Sequence, residues 1–257
     1  MDNQYTIQTK NLTKSYKSVE VLNIEELNIP KGQSFGLVGN NGAGKTTYFS
    51  LLLDLIQPTT GQIINNDIVV SESEDWKPFT SAFIDESFLI GYLTAEEYFY
   101  FIADLRKVTK AEVDNLLATF EDFFHDEILN KKKYLRDLSK GNQKKVGIVA
   151  SFIGNPEVII LDEPFANLDP TTQIRLKKII KELASAKHTT VLISSHDLLH
   201  VTDVCERIVV LDKGVIVKDT LTNETTLKEL EAYFGREDEE NLELPTEDEN
   251  HPQETTE

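Results

Sequence analysis

Gly39-Asn40-Asn41-Gly42-Ala43-Gly44-Lys45-Thr46-Thr47 has the spacing G-x-x-x-x-G-K-[ST]. Glycines at these positions let backbone N–H groups turn inward around phosphate oxygens. A lysine there reaches the β- and γ-phosphates of a nucleotide, and the hydroxyl after it ligates Mg²⁺. Lys45 and Thr46 are the candidates for those two tasks. A second chemical cluster lies further on. Val158-Ile159-Ile160-Leu161 leads straight into Asp162-Glu163-Pro164. Asp162 is placed to hold Mg²⁺, and Glu163 to polarise a water for attack on a γ-phosphate.

Both clusters need particular elements to hold them. Ser34-Phe35-Gly36-Leu37-Val38 is a short apolar run that predicts a buried strand before the phosphate loop, and Tyr48-Phe49-Ser50-Leu51-Leu52-Leu53 predicts a helix after it. The helix N-terminus adds partial positive charge facing an anion. Upstream, Tyr5-Thr6-Ile7-Gln8-Thr9 and Val21-Leu22-Asn23-Ile24 alternate as strands before Pro30-Lys31-Gly32, and Ile63-Ile64 opens another strand. From about residue 94 to 130 the pattern turns helical. Thr94 followed by Glu97 predicts a capping box, and residues 110–125 form a second amphipathic stretch. Strands return at 158–161, 190–194, 208–211 and 215–217. The order is an α/β core interrupted by a helical insert.

The net charge is −18, and residues 236–257 carry ten acidic side chains against one basic. This balance argues against sequence-independent nucleic-acid binding. Residues 236–257 read as an acidic disordered tail after a domain spanning 1–235. The single cysteine, Cys205, excludes an internal disulfide framework and reads as a small buried side chain. No apolar run approaches the ~20 residues that span a bilayer, and Met1-Asp2-Asn3-Gln4 opens no signal peptide. The expectation is a cytoplasmic protein, peripheral on the inner face of the membrane through a partner.

Leu138-Ser139-Lys140-Gly141-Asn142-Gln143 opens a further helix, and Ala166-Asn167-Leu168-Asp169 and Ser194-Ser195-His196-Asp197 follow the carboxylates. With these segments in this order, residues 4–225 resemble the ATP-binding cassette (ABC) ATPases, whose defining motif is L-S-G-G-Q. The resemblance implies a P-loop NTPase core, an N-terminal antiparallel β-subdomain and an inserted α-helical subdomain over about 86–150. It implies ATP and Mg²⁺ as ligands. Tyr16 takes the place of the aromatic that stacks on adenine, ahead of Gly39, Asn40, Asn41, Gly42, Ala43, Gly44, Lys45, Thr46 and Thr47 on the phosphates. Ser139 and Gly141 take the place of groups that touch ATP held by an opposite subunit. Asp169 is similar to the aspartate that links the two sites, and His196 to the histidine on the γ-phosphate, catalytic together with Glu163.

Two departures stand out. Lys140 and Asn142 replace a glycine and the glutamine of the motif. The glutamine that the family carries before its helical insert is missing from Phe83-Ile84-Asp85-Glu86-Ser87. Asp85 or Glu86 must take its place. Spacing favours Asp85, as a further Mg²⁺ ligand.

The resemblance further implies a head-to-tail dimer, most simply a homodimer, working with a separate transmembrane permease subunit, in the manner of exporters. A soluble non-transport ABC ATPase and a catalytically weak regulatory cassette are the alternatives. Aromatics crowd residues 83–101, either as core or lining a groove for a permease helix. Lys131, Lys132, Lys133, Arg136, Lys140, Lys144 and Lys145 form a local basic cluster, either as a solvated face or as a contact for anionic headgroups or an acidic partner loop.

Overall fold

The structure, a computed structural model, describes residues 4–242, with side chains through 235. It divides into two compact units, one ending at Thr222 and one beginning at Asn223.

The first unit holds two sheets. β1 (Tyr5–Tyr16) and β2 (Val19–Pro30) pair antiparallel, and β4 (Thr60–Asn65) and β5 (Ile68–Val69) extend the sheet in the order β2-β1-β4-β5. β1 runs well past the alternating stretch that the sequence picks out. Asn11 has φ +47°, and the β1–β4 register shifts between Lys10 and Thr13. A bulge therefore breaks the period-two pattern there without ending the strand.

The second sheet has six strands, in the order β10-β9-β3-β8-β7-β6. β3 (Ser34–Val38), β6 (Thr80–Phe83), β7 (Val158–Leu161), β8 (Thr190–Ser195) and β9 (Arg207–Asp212) run parallel, and β10 (Val215–Leu221) closes the edge antiparallel. Every residue of β3, β7 and β8 is buried. That is why these strands read as continuous apolar runs rather than alternating ones. β3 and β7 both pair with β8, which brings the residues after Val38, Leu161 and Ser195 to one end of the sheet. The core between the sheets packs Ile7, Leu22, Phe35, Tyr48, Phe49, Val158, Leu192 and Val209.

The helices are α1 (Lys45–Leu52), α2 (Ala95–Arg106), α3 (Lys110–Thr119), α4 (Glu121–Phe124), α5 (Lys140–Ala150), α6 (Pro170–Ala186), α7 (Leu198–Val204) and α8 (Thr226–Leu242). α2 to α5 form the insert between β6 and β7. Thr94 and Glu97 make both bonds of the capping box at α2, and Thr109 with Glu112 repeats it at α3. The second amphipathic stretch is not one helix. Phe120 breaks it, its ring stacking on Phe152 at 5.5 Å, and His125 ends α4 in the left-handed region. Burying Phe120, Phe123 and Phe124 together overrides helical continuity.

α8 runs unbroken across residue 235, where the sequence sets the end of the domain. Residues 236–242 are thus helical, and the rest of the expected acidic tail lies outside the described residues. No described helix is long and apolar enough to cross a membrane.

The basic cluster does not form one face. Lys131, Lys132, Lys133 and Lys140 are exposed, whereas Lys144 and Lys145 are buried and paired with carboxylates. The aromatics of residues 83–101 split as well. Phe83, Tyr98 and Phe99 are buried, while Phe88, Tyr92 and Phe101 are exposed. Cys205 is buried, and burial pushes its thiol pKa up, which makes it inert packing.

Candidate nucleotide site

The phosphate loop joins β3 to α1 at the end of the six-stranded sheet. Gly42 and Gly44 adopt φ of +84° and +108°. A Cβ on Gly39 would overlap the backbone oxygen of Leu211 on β9, so the loop's close seat on the sheet requires glycine there. Gly44 caps α1 without any side-chain hydrogen bond, which leaves the first N–H groups of α1 free for an anion. The loop lines a cleft of about 270 Å³, which it shares with Tyr16, Val21 and Glu163. Asn41 through Thr47 all line it. Asn40 does not line it and is exposed, its carbonyl accepting from the Ala43 N–H at 3.1 Å. Lys45 is folded back onto the loop, Nζ donating to the Gly39 carbonyl at 2.6 Å. Tyr16 is half exposed, with Lys14 Nζ 4.8 Å from its ring centre.

β7 delivers the two carboxylates beside Thr46. The Thr46 hydroxyl donates to Asp162 Oδ2 at 2.6 Å, and the Ser194 hydroxyl at the end of β8 donates to Oδ1. Burial pushes the Asp162 pKa up, and these two hydrogen bonds partly offset the rise. Glu163 follows in the left-handed region, φ +46°. Its N–H donates to Ser194 Oγ at 2.9 Å. Its side-chain oxygens then face the His196 ring and the Lys45 ammonium. Oε2 is 2.9 Å from His196 Nδ1, and Oε1 is 3.6 Å from Lys45 Nζ. A non-glycine residue held in this region is disfavoured and recurs where function fixes it.

Asp169 caps α6, accepting from the Thr172 N–H at 3.0 Å and from its hydroxyl at 2.5 Å. These bonds lower its pKa to about 2. Ser139 caps α5, accepting from the Asn142 N–H at 3.2 Å, and a Cβ on Gly141 would crowd the Asn167 carbonyl. Ser139, Gly141 and Asp169 do not line the chain's own cleft.

Asp85 is not brought to Thr46 and Asp162. Its carboxylate accepts from the Ser87 N–H at 2.7 Å, capping a short 3₁₀ turn over Glu86–Phe88, and hydrogen bonding from the Ser87 side chain and then from its N–H lowers the Asp85 pKa. It lines a separate, largely apolar cleft of about 800 Å³ with Phe83, Phe88, Tyr98 and Gly147. The neighbouring Glu86 turns inward, 3.7 Å from Lys144 Nζ. Sequence spacing favours Asp85 because it counts residues along the chain. The turn after β6 decides which of the two adjacent side chains faces inside.

A phosphate loop on a mostly parallel sheet, with a buried Asp on its threonine and a Glu beside its lysine, defines a P-loop nucleoside triphosphatase. Residues 22–166 match the ABC transporter family. The uncharacterized ABC transporter ATP-binding protein YhaQ of Bacillus subtilis is 33% identical over 88% of this chain and 72% of its own. The bacitracin transport ATP-binding protein BcrA of Enterococcus faecalis is 33% identical over 86% of this chain and 71% of its own. A solved ATP-binding subunit of an ABC transporter superposes with TM-score 0.76 at 27% identity, covering 93% of this chain and 98% of that one. The chain belongs to the ABC transporter family and is one of its ATPases.

Proposed function

We propose that this protein binds ATP in the cleft over the phosphate loop and hydrolyses it to power a transporter. The observation that carries the reading is Glu163, set between Lys45 and His196 and beside the Thr46–Asp162 hydrogen bond. Lys45 and the loop N–H groups bind the β- and γ-phosphates, and Tyr16 stacks on the adenine. Glu163 accepts the proton of the attacking water, and His196 holds the carboxylate in place. Thr46 and Asp162 are hard oxygen donors in contact with one another, a set that suits Mg²⁺ bound jointly with phosphate. The ion supplies charge neutralisation on the phosphate oxygens.

Ser139 and Gly141 lie off the chain's own cleft, at the exposed start of α5. This supports a head-to-tail dimer in which each chain completes the other's site, with Asp169 at the seam. The apolar cleft lined by Phe83, Phe88 and Tyr98 supports a permease subunit as second partner, one short helix of it seated there. That partner would hold the protein at the cytoplasmic face of the membrane. Export is the direction we infer, from the short interval between Asp85 and Ser139.

The test is ATP hydrolysis by the purified protein with and without Mg²⁺, beside Lys45→Ala. Mg²⁺-dependent phosphate release lost in Lys45→Ala supports the reading. Release that persists in Lys45→Ala overturns it. Uptake into inside-out vesicles of the source membrane, against efflux from them, tests direction.

A further inference from the structure

The backbone of Glu163 is held at both ends by side chains. Its N–H donates to Ser194 Oγ at 2.9 Å, and its carbonyl accepts from Lys144 Nζ, also at 2.9 Å. Ser194 belongs to the strand beside β7, but Lys144 comes from the middle of α5. Its side chain is 7% exposed. An ammonium that far from water needs a counter-charge. Glu86 provides one, with its carboxylate 12% exposed and 3.7 Å from Nζ. Glu86 Oε1 has no hydrogen-bond partner. It therefore contributes charge, while the Lys144 proton is directed to the Glu163 carbonyl.

Resting on Glu163 as the base, we propose that Lys144, neutralised by Glu86, is a positioning residue for the catalytic carboxylate. The left-handed turn at Glu163 aims its side chain between Lys45 and His196. Without a donor on the carbonyl, the peptide following Glu163 relaxes toward ordinary backbone angles, and the carboxylate swings away from the attacking water. Glu86 sits at the turn after β6 and Lys144 on α5. Displacing either element against the other therefore reaches Glu163 through this one hydrogen bond.

A structural ion pair and a positioning residue make different predictions for paired variants. Lys144→Met removes donor and charge, and leaves Glu86 buried without a partner. Lys144→Met/Glu86→Gln removes both charges but still leaves the Glu163 carbonyl without a donor. Lys144→Arg keeps both charge and donor. We expect Lys144→Met to lower the unfolding midpoint, and the double variant to recover it. The kcat for ATP should fall about ten- to hundred-fold in both, with KM changed less than about three-fold, and Lys144→Arg should restore most of it. The backbone amide resonance of Glu163 should shift in Lys144→Met and in the double variant, and return in Lys144→Arg. A double variant with wild-type kcat and an unmoved Glu163 resonance would overturn the proposal and make Lys144 a structural cation. Absence of hydrolysis in the wild type would defeat the ATPase reading, and the Glu163 resonance would still decide the positioning claim.

Discussion

His196 Nδ1 lies 2.9 Å from Glu163 Oε2, across the ends of two neighbouring parallel strands. His196 is mostly exposed, so its contribution to the fold is small, and the contact belongs to the site. His196→Ala should lower ATP turnover by about 10²-fold or more and change unfolding stability by less than about 0.5 kcal/mol. Steady-state kinetics beside urea unfolding checks both. A turnover loss matched by a collapse in stability would assign the histidine to packing.

Gly147 and Phe83 set how closely α5 approaches β6. A Cβ on Gly147 would overlap the edge of the buried Phe83 ring, which would have to shift to admit it. Gly147→Ala should therefore destabilise by about 1–3 kcal/mol. Gly147→Ala/Phe83→Leu should recover part of that loss. Urea midpoints of the two variants measure the coupling, and simple additivity would contradict the contact.

Asp169 gives a pH-dependent prediction. Its pKa falls from 3.8 to about 2 through the Thr172 hydrogen bonds. A lowered carboxyl pKa adds stability that is complete above the unfolded pKa of about 4 and disappears as pH falls toward about 2. Asp169→Ala removes the cap of α6 and should cost about 1 kcal/mol at neutral pH. The gap between variant and wild type should narrow as pH drops from about 5 to 3. A gap that stays constant over that range would exclude the capping carboxylate as its source.

Much of this site is visible in the sequence because each group sits at a fixed distance from a strong backbone signal. The phosphate loop follows an apolar strand, and Asp162 and Glu163 end another. Thr94 announces its helix by local capping chemistry. The hidden parts depend on packing between distant segments. Ser194 holds both Asp162 and Glu163, and only strand pairing shows it. Lys144 reads as one of a run of surface lysines until α5 is seen buried on its neighbours. Asp85 and Glu86 are adjacent carboxylates, and the geometry of a three-residue turn separates their roles. The break at Phe120 has the same origin, since aromatic packing outweighs a continuous helical period.

The central claim is that Glu163 activates water for hydrolysis of ATP held over Lys45. Glu163→Gln keeps the shape and removes the base. ATP turnover should fall by about 10²- to 10⁴-fold while ATP affinity stays within a few-fold of wild type. Light scattering behind a sizing column should then show the variant, and not the wild type, accumulating as an ATP-bound dimer. Turnover in Glu163→Gln within a few-fold of wild type would contradict the account.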